Sequence, residues 1–517
     1  MKKIKYFITA FSALLLLSSC GNDWLNEPIP DDSKSSNIPL TSKDVRSLEI
    51  ALYDAVQSNL NYYNGQMIYS GDIMADDYQL RNGGGGKGED FYLMDYAINS
   101  ITGCWSPAYD LIKRSNVIIE SEPSDYKDYK GVVDQIKGEA YFMRALSHFD
   151  ILRQYGEFYQ MDSKWGIPII DRLIPGGELS TNKPGRNTVL EVYEIIISDL
   201  KESIILMDPT TSKKADGYVD VWAAKALLCR AYLYTGENAK CVAMAEDIIT
   251  NSTYKLWTNS EYVEGWKERG GVEAIFEVKN TSDDGANTDS LTGFYNKHSS
   301  GGYGSFLATT YYANLFQEGD VRKTMFVTEE KLGALYLDKY PGVDKAATGD
   351  GNDYTTANYS ILRLSEVYLN GAEAAQKIGD AKADTWLTAI AQRANPAAPA
   401  IVGANLERVL LERRLELGAE GFRFFDAIRN NKTMYRDNVA KYMEEINAAI
   451  PAVTIVQPGD ATEINEEIHV ELLDENKIIN REHKRIILPI PDREMKVINP
   501  KIDGVEKINI EQYYKWL

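Results

Sequence analysis

The stretch Gly217–Ile249, GYVDVWAAKALLCRAYLYTGENAKCVAMAEDII, decides the fold. Val221, Ala224, Leu227, Leu228, Ala231 and Tyr232 recur at helical spacing, so one apolar stripe of a first helix faces inward. Gly236 stops that helix, because glycine reaches positive φ at no steric cost. A second helix then places Cys241, Ala245 and Ile248 against the first, and the small residues Ala224, Ala231, Cys241 and Ala245 let the two backbones approach closely. Tyr232, Gly236, Cys241 and Ala245 follow tetratricopeptide-like (TPR) spacing. One such hairpin cannot bury its stripe alone, so the sequence predicts neighbours of the same kind and a mainly all-α fold.

Those neighbours are visible on both sides. Upstream, helices are expected over Thr41–Leu60, Trp105–Glu120, Val132–Tyr155 and Thr188–Met207. The first and last of these open with capping-box pairs, Thr41/Asp44 and Thr188/Glu191. Downstream they return over Ser360–Gln376, Asp380–Ala394 and Leu406–Gly418, with a short helix after Gly421. Between residues 251 and 358 the pattern is irregular, apart from strand-like alternation at Ala274–Val278. The expected organisation is a signal peptide over 1–19, a lipidated tether over 20–40, a TPR-like N-terminal region over 41–250 and a loop-rich C-terminal half over 251–517.

Two Tyr- and Gly-rich stretches interrupt the helices. The first, residues 61–103, holds RNGGGGKG at Arg81–Gly88; its glycines predict a flexible exposed loop. A phosphate-cradling reading fails there, since Lys87 is followed by Gly88 rather than by Ser or Thr. The second stretch runs from His298 past Tyr311 and Tyr312. Sugar rings pack their C–H faces on aromatic planes and offer hydroxyl rims to polar side chains. The ligand-contact candidates are therefore Tyr78, Arg81, Tyr92 and Tyr96 in the first stretch and Tyr303, Tyr311 and Tyr312 in the second. Tyr92 and Tyr96 are expected to serve ligand binding rather than stability. Rings forming one solvent-facing arc would favour glycans; rings lining a closed groove would favour peptides.

Bulk properties exclude other classes. A formal net charge of −20 argues against a nucleic-acid partner, because phosphate binding rests on clustered Lys and Arg. It suits a neutral or cationic ligand better than a polyanion. The four histidines are scattered, and Cys20, Cys104, Cys229 and Cys241 show no zinc-like spacing; the last three read as buried free thiols. No metal or cofactor is implied. In Glu412–Arg423, Arg413, Glu416, Glu420 and Arg423 sit three to four residues apart, which reads as structural ion pairing rather than catalysis. No Gly-x-Ser-x-Gly, His-Glu-x-x-His or dinucleotide-binding motif supports an enzyme, and no carboxylate pair for glycoside hydrolysis stands out.

Met1–Cys20 reads as a targeting segment: Lys2, Lys3 and Lys5, an apolar run over Ile8–Leu17, then Leu17-Ser18-Ser19-Cys20, which resembles a bacterial lipobox with Cys20 as the acylated residue. Further motifs run in order along the chain. They are Asp23-Trp24-Leu25-Asn26-Glu27-Pro28, Trp105…Tyr109…Ile112…Asn116, Gly138-Glu139-Ala140-Tyr141-Phe142-Met143-Arg144-Ala145, Gly166-Ile167-Pro168, Ile361-Leu362-Arg363-Leu364-Ser365-Glu366-Val367-Tyr368-Leu369, Glu412-Arg413-Arg414-Leu415-Glu416, Glu420-Gly421-Phe422-Arg423-Phe424-Phe425-Asp426 and Leu488-Pro489-Ile490-Pro491. Together they resemble the SusD/RagB family of outer-membrane glycan-binding lipoproteins of Bacteroidetes. The resemblance implies a TPR-like scaffold with a loop-rich half packed on it. It also implies a non-enzymatic role at the cell surface, delivering oligosaccharides to a SusC-like TonB-dependent β-barrel transporter. A peptide-binding lid of a RagAB-type importer is the alternative it leaves open. It transfers no binding residues, because the family varies its ligand loops; and no Trp lies between Trp266 and Trp386, so Tyr would supply any aromatic platform there.

Overall fold

A computed structural model describes residues 41–58, 61–96, 103–174, 184–212, 217–267, 271–280, 289–295, 302–329, 333–340, 357–436, 470–492 and 494. The expected signal peptide, Cys20 and the tether lie outside these residues.

Helix α1 (Ser42–Gln57) is opened by Thr41, whose hydroxyl accepts from the Asp44 N–H while the Asp44 carboxylate accepts from the Thr41 N–H. After it come α2 (Gln66–Ile73), β1 (Tyr78–Leu80), α3 (Glu89–Tyr92), α4 (Trp105–Ile119) and the long α5 (Tyr126–Tyr155). Helix α6 (Val189–Leu206) carries the reciprocal Thr188/Glu191 box. The opening stretch forms α7 (Val221–Tyr234) and α8 (Asn238–Asn251). Asp220 caps α7 by accepting from the Trp222 and Ala223 N–H groups. Gly236, at φ +75°, lets Glu237 N–H return to the Tyr232 carbonyl at 2.9 Å, which satisfies the end of the helix and turns the chain.

The second half begins with short elements: α9 (Tyr262–Gly265), β2 (Ala274–Val278), α10 (Leu291–Tyr295), β3 (Phe306–Ala308), α11 (Thr310–Asn314), β4 (Phe326–Glu329), β5 (Ala334–Leu337) and β6 (Tyr359–Arg363). Helices resume as α12 (Leu364–Ile378), α13 (Lys382–Ala394), α14 (Leu406–Glu416) and α15 (Arg423–Arg429), and β7 (Met434–Tyr435) pairs with β8 (Ile478–Ile479). Helices α4, α5, α6, α7, α8, α12 and α13 pack each on the next, with α1 laid across α4 and α5. This is the TPR-like array that the α7–α8 hairpin demanded. Its unexpected step is from α8 to α12, across the whole irregular insertion.

Two expectations are corrected, and a third, the strand over Ala274–Val278, holds with an unexpected burial. Residues 360–363 are strand rather than helix, because Tyr359–Arg363 pairs antiparallel with β2 and Arg363 takes an extended backbone, φ −142°. Ala274–Val278 is a strand but buries all five residues, so its sequence alternation marks no solvent face. The first Tyr/Gly stretch contains α2, whose buried residues run all round it and leave no polar face to read.

The charged run Glu412–Arg423 is a buried ion network. Glu416 accepts from Arg322 at 3.0 Å, Arg363 at 2.7 Å and Arg393 at 2.6 Å. Arg363 also binds Glu420 and Glu273, and Lys339 donates to Glu420 at 2.6 Å. Arg413 holds Asp426 and Asn370, and Arg423 holds Asp76. Burial pushes the Glu416 carboxyl up, but Arg393, Arg363 and Arg322 more than offset it and hold it well below the usual carboxylate range. Charges this deep are tolerated only when every partner is present.

Candidate functional site

The two Tyr/Gly stretches meet, although the residues that pair lie more than 200 positions apart. β1 pairs antiparallel with β3, in the register Tyr78↔Ala308, Gln79↔Leu307 and Leu80↔Phe306. Beyond the ladder, the Arg81 N–H donates to the Ser305 carbonyl at 2.8 Å, and its guanidinium donates to the Gly304 carbonyl at 2.7 Å and to the Tyr303 carbonyl. The Ser305 hydroxyl returns to the Gly84 carbonyl at 2.7 Å. The glycine loop is therefore stapled at several points rather than free. Gly85 shows why glycine is needed: its φ is +78°, and a Cβ there would lie 3.0 Å from the Tyr303 ring.

These bonds present one aromatic ring at the surface. Tyr303 is half-buried and lies nearly parallel to buried Phe294, with centroids 6.2 Å apart. Lys87 Nζ lies 5.6 Å from its centroid and pairs with Asp289 at 3.1 Å. The Lys87 and Asp289 side chains keep 38% and 30% of their surface, so the pair contributes little to stability and stays open to a polar ligand. Asn82, Gly83, Gly85 and Gly86 are exposed along the same rim.

Of the seven sequence candidates, the structure leaves Arg81 and Tyr303 part-exposed and brings them together; Arg81 spends its guanidinium on the loop backbone and so positions Tyr303. The other five are buried in the core. Tyr78 packs between Tyr295 and Tyr312, at 5.3 and 5.9 Å. Tyr92 is 1% exposed, with the Arg436 guanidinium 4.5 Å above its ring. Tyr96 donates to Met74 Sδ at 3.1 Å. Arg414 lies 5.1 Å above the Tyr311 ring, and its carbonyl accepts from the Tyr312 hydroxyl at 3.2 Å. Burial pushes the Tyr78, Tyr96 and Tyr312 phenols up. The seven form neither a solvent-facing arc nor a closed groove. Tyr92 and Tyr96 lie in the core rather than on a ligand surface, contrary to expectation: a phenol ring buries a large apolar area, and Arg436 gives the Tyr92 ring and Met74 the Tyr96 hydroxyl a buried partner. Lys87 and Asp289 were missed. Nothing in sequence links Lys87 to a carboxylate 202 residues away.

Beneath this surface, Asp72 accepts from the Tyr295 hydroxyl at 2.6 Å and from the Gly421 N–H at 3.0 Å. Burial pushes its carboxyl up to about 8 against those two donors. Among the described residues no group of three or more His, Cys, Asp or Glu is placed to hold a metal, and no helix is long and apolar enough to cross a membrane.

This helical-repeat scaffold, with its stapled loop and half-buried Tyr303, has counterparts among known proteins. Residues 325–504 match the family profile described as "SusD family", and residues 23–233 match the one described as "Starch-binding associating with outer membrane". A solved Bacteroides vulgatus ATCC 8482 protein named for sugar binding is 31% identical, with a TM-score of 0.76 over 93% of this chain and 100% of that one. SusD-like protein P38 of Formosa agariphila is 25% identical, the match covering 84% of this chain and 93% of P38. Surface glycan-binding protein A of Bacteroides thetaiotaomicron, solved with laminarihexaose, shares the fold at 19% identity, with a TM-score of 0.64 over 88% of this chain and 97% of that one. The chain belongs to the SusD family.

Proposed function

We propose that this chain is a non-catalytic lipoprotein that binds oligosaccharides at the cell surface and delivers them to a SusC-like TonB-dependent β-barrel transporter. Its ligand surface centres on Tyr303. The observation that carries the reading is the half-exposed Tyr303 ring, backed by Phe294 and flanked by the Lys87–Asp289 pair. A pyranose can lay its C–H face on that ring, Asp289 can accept from its hydroxyls and Lys87 can donate to them. The ion pair is neutral overall, which suits an uncharged sugar. The solved structures of similar fold named for sugar or glycan binding support the same reading. Acylation of Cys20 would hold the protein at the outer membrane and raise the effective ligand concentration at the transporter, so modest affinity suffices.

Migration through native gels containing plant, microbial and host polysaccharides tests this. Retardation by one glycan, without release of reducing ends and lost in Tyr303→Ala, supports the reading. Retardation that Tyr303→Ala leaves intact moves the site elsewhere. No retardation by any glycan overturns glycan binding by the isolated chain, in favour of a peptide ligand or of a lid that binds only when docked on its transporter.

A further inference from the structure

We propose that Cys229 and Cys241 form a peroxide-responsive dithiol site that closes into an intramolecular disulfide tying α7 to α8. Both residues are fully buried on the two helices of the opening hairpin, and both are free thiols. Their sulfurs lie 3.6 Å apart. A disulfide needs about 2.05 Å, so side-chain rotation has to move each sulfur only about 0.8 Å. The helices already approach closely here, and Cys241 Sγ sits 3.5 Å from the Asn370 carbonyl on α12. The third described cysteine, Cys104, lies at the start of α4, where its N–H donates to Gln154. The pairing is thus defined among the described residues.

The chemistry balances with one peroxide. One thiol, as thiolate, attacks a peroxide oxygen; the O–O bond breaks, and sulfenic acid and one water result. The second thiol attacks that sulfur; the S–O bond breaks and a second water leaves. Two sulfurs lose one electron each and the peroxide gains two. Both cysteines are fully buried, which admits only an oxidant as small as hydrogen peroxide, and the hydrogen bond to Cys241 and burial push the Cys229 thiol up, which slows its reaction. The site has a connection to the rest of the molecule. Oxidation removes the Cys241 thiol contact with the Asn370 carbonyl, and the Asn370 side chain joins Glu366 at 3.0 Å to Arg413 at 2.8 Å.

The test treats the full chain, purified in detergent, with hydrogen peroxide. After a catalase quench the protein is denatured and alkylated, and its peptides are mapped by mass. The expected result is loss of two alkylatable thiols, at Cys229 and Cys241 together, in one disulfide-linked peptide pair that dithiothreitol restores. Cys104 stays alkylatable, and the thermal midpoint of the oxidised protein rises. In Cys229→Ala, Cys241 should instead give a dimedone adduct, the mark of a sulfenic acid with no second thiol. Full alkylation of both cysteines after exposure that consumes free glutathione overturns the proposal. So does a sulfinic acid as the main product, a disulfide to Cys104, or a Cys229→Ala protein that folds but gives no adduct.

Discussion

Replacing Arg363 by Met removes a cation that makes five hydrogen bonds: two to the Glu420 carboxylate, one each to the Glu273 and Glu416 carboxylates, and one to the Glu416 carbonyl. In this cluster the carboxylates Glu273, Asp320, Glu412, Glu416 and Glu420 face the cations Arg322, Lys339, Arg363, Arg393 and Arg408, so charges balance in the native protein. Arg363→Met leaves one negative charge uncompensated at full burial, which costs about 3–5 kcal/mol. Adding Glu420→Gln restores neutrality while keeping the shape. The double variant should therefore lose less than the two single losses combined, with a coupling of about 1–3 kcal/mol. Equilibrium urea unfolding, followed by tryptophan fluorescence and by circular dichroism at unchanged m-value, measures all four corners of the cycle. Strictly additive losses would refute the charge-balance account and reduce Arg363 to a packing and hydrogen-bonding residue.

Tyr92→Ala should destabilise by about 3–5 kcal/mol, because it empties a fully buried ring site beneath Arg436; an unchanged urea midpoint would return Tyr92 to the ligand surface. Tyr303→Ala should abolish glycan retardation while shifting stability far less than Tyr92→Ala does, since its ring is only half-buried. Asp72 has a raised folded-state pKa, so its contribution to stability is fully present below about pH 4 and is lost as pH rises to about 8, at up to about 1.4 kcal/mol per pH unit. Asp72→Asn should flatten that decline; a stability–pH profile identical to the parent's would sink the assignment. Cys20→Ala should move the protein from the membrane fraction to the soluble fraction, and a variant that still pellets with membranes would remove the anchor.

Sequence disclosed elements whose signals are local. Helices α1 and α6 carry a buried stripe, a polar face and a capping box, and all three signals are local. Helix α2 has no polar face, and β6 reads as helix because its strand character depends on β2, some 85 residues upstream; neither was legible. The ligand residues failed for a related reason. A Tyr beside glycines looks the same whether a distant Arg covers it or not. Arg414 covers Tyr311 and Arg436 covers Tyr92, both from within the core, whereas the cation beside Tyr303 is the part-exposed Lys87 and the ring stays half-buried. The charged run is structural, as expected, but not through its i, i+3 and i, i+4 spacing: α14 ends at Glu416, and Arg413, Glu416, Glu420 and Arg423 take partners outside the run, among them Asp426, Arg363, Lys339 and Asp76, which no local spacing reveals.

The step from α8 to α12 also sets a timetable for biosynthesis. The stripe of α8 that carries Cys241, Ala245 and Ile248 is complete when Asn251 is made, but the helix that covers it starts 113 residues later, at Leu364. At about 5–20 residues per second, the growing chain carries that uncovered stripe for roughly 6–20 s before its partner has even begun to emerge. A nascent chain stalled inside the insertion would thus display an unpaired repeat edge, the kind of surface that holdase chaperones bind. The insertion that carries Tyr303 and Asp289 is also what delays closure of the scaffold beneath it.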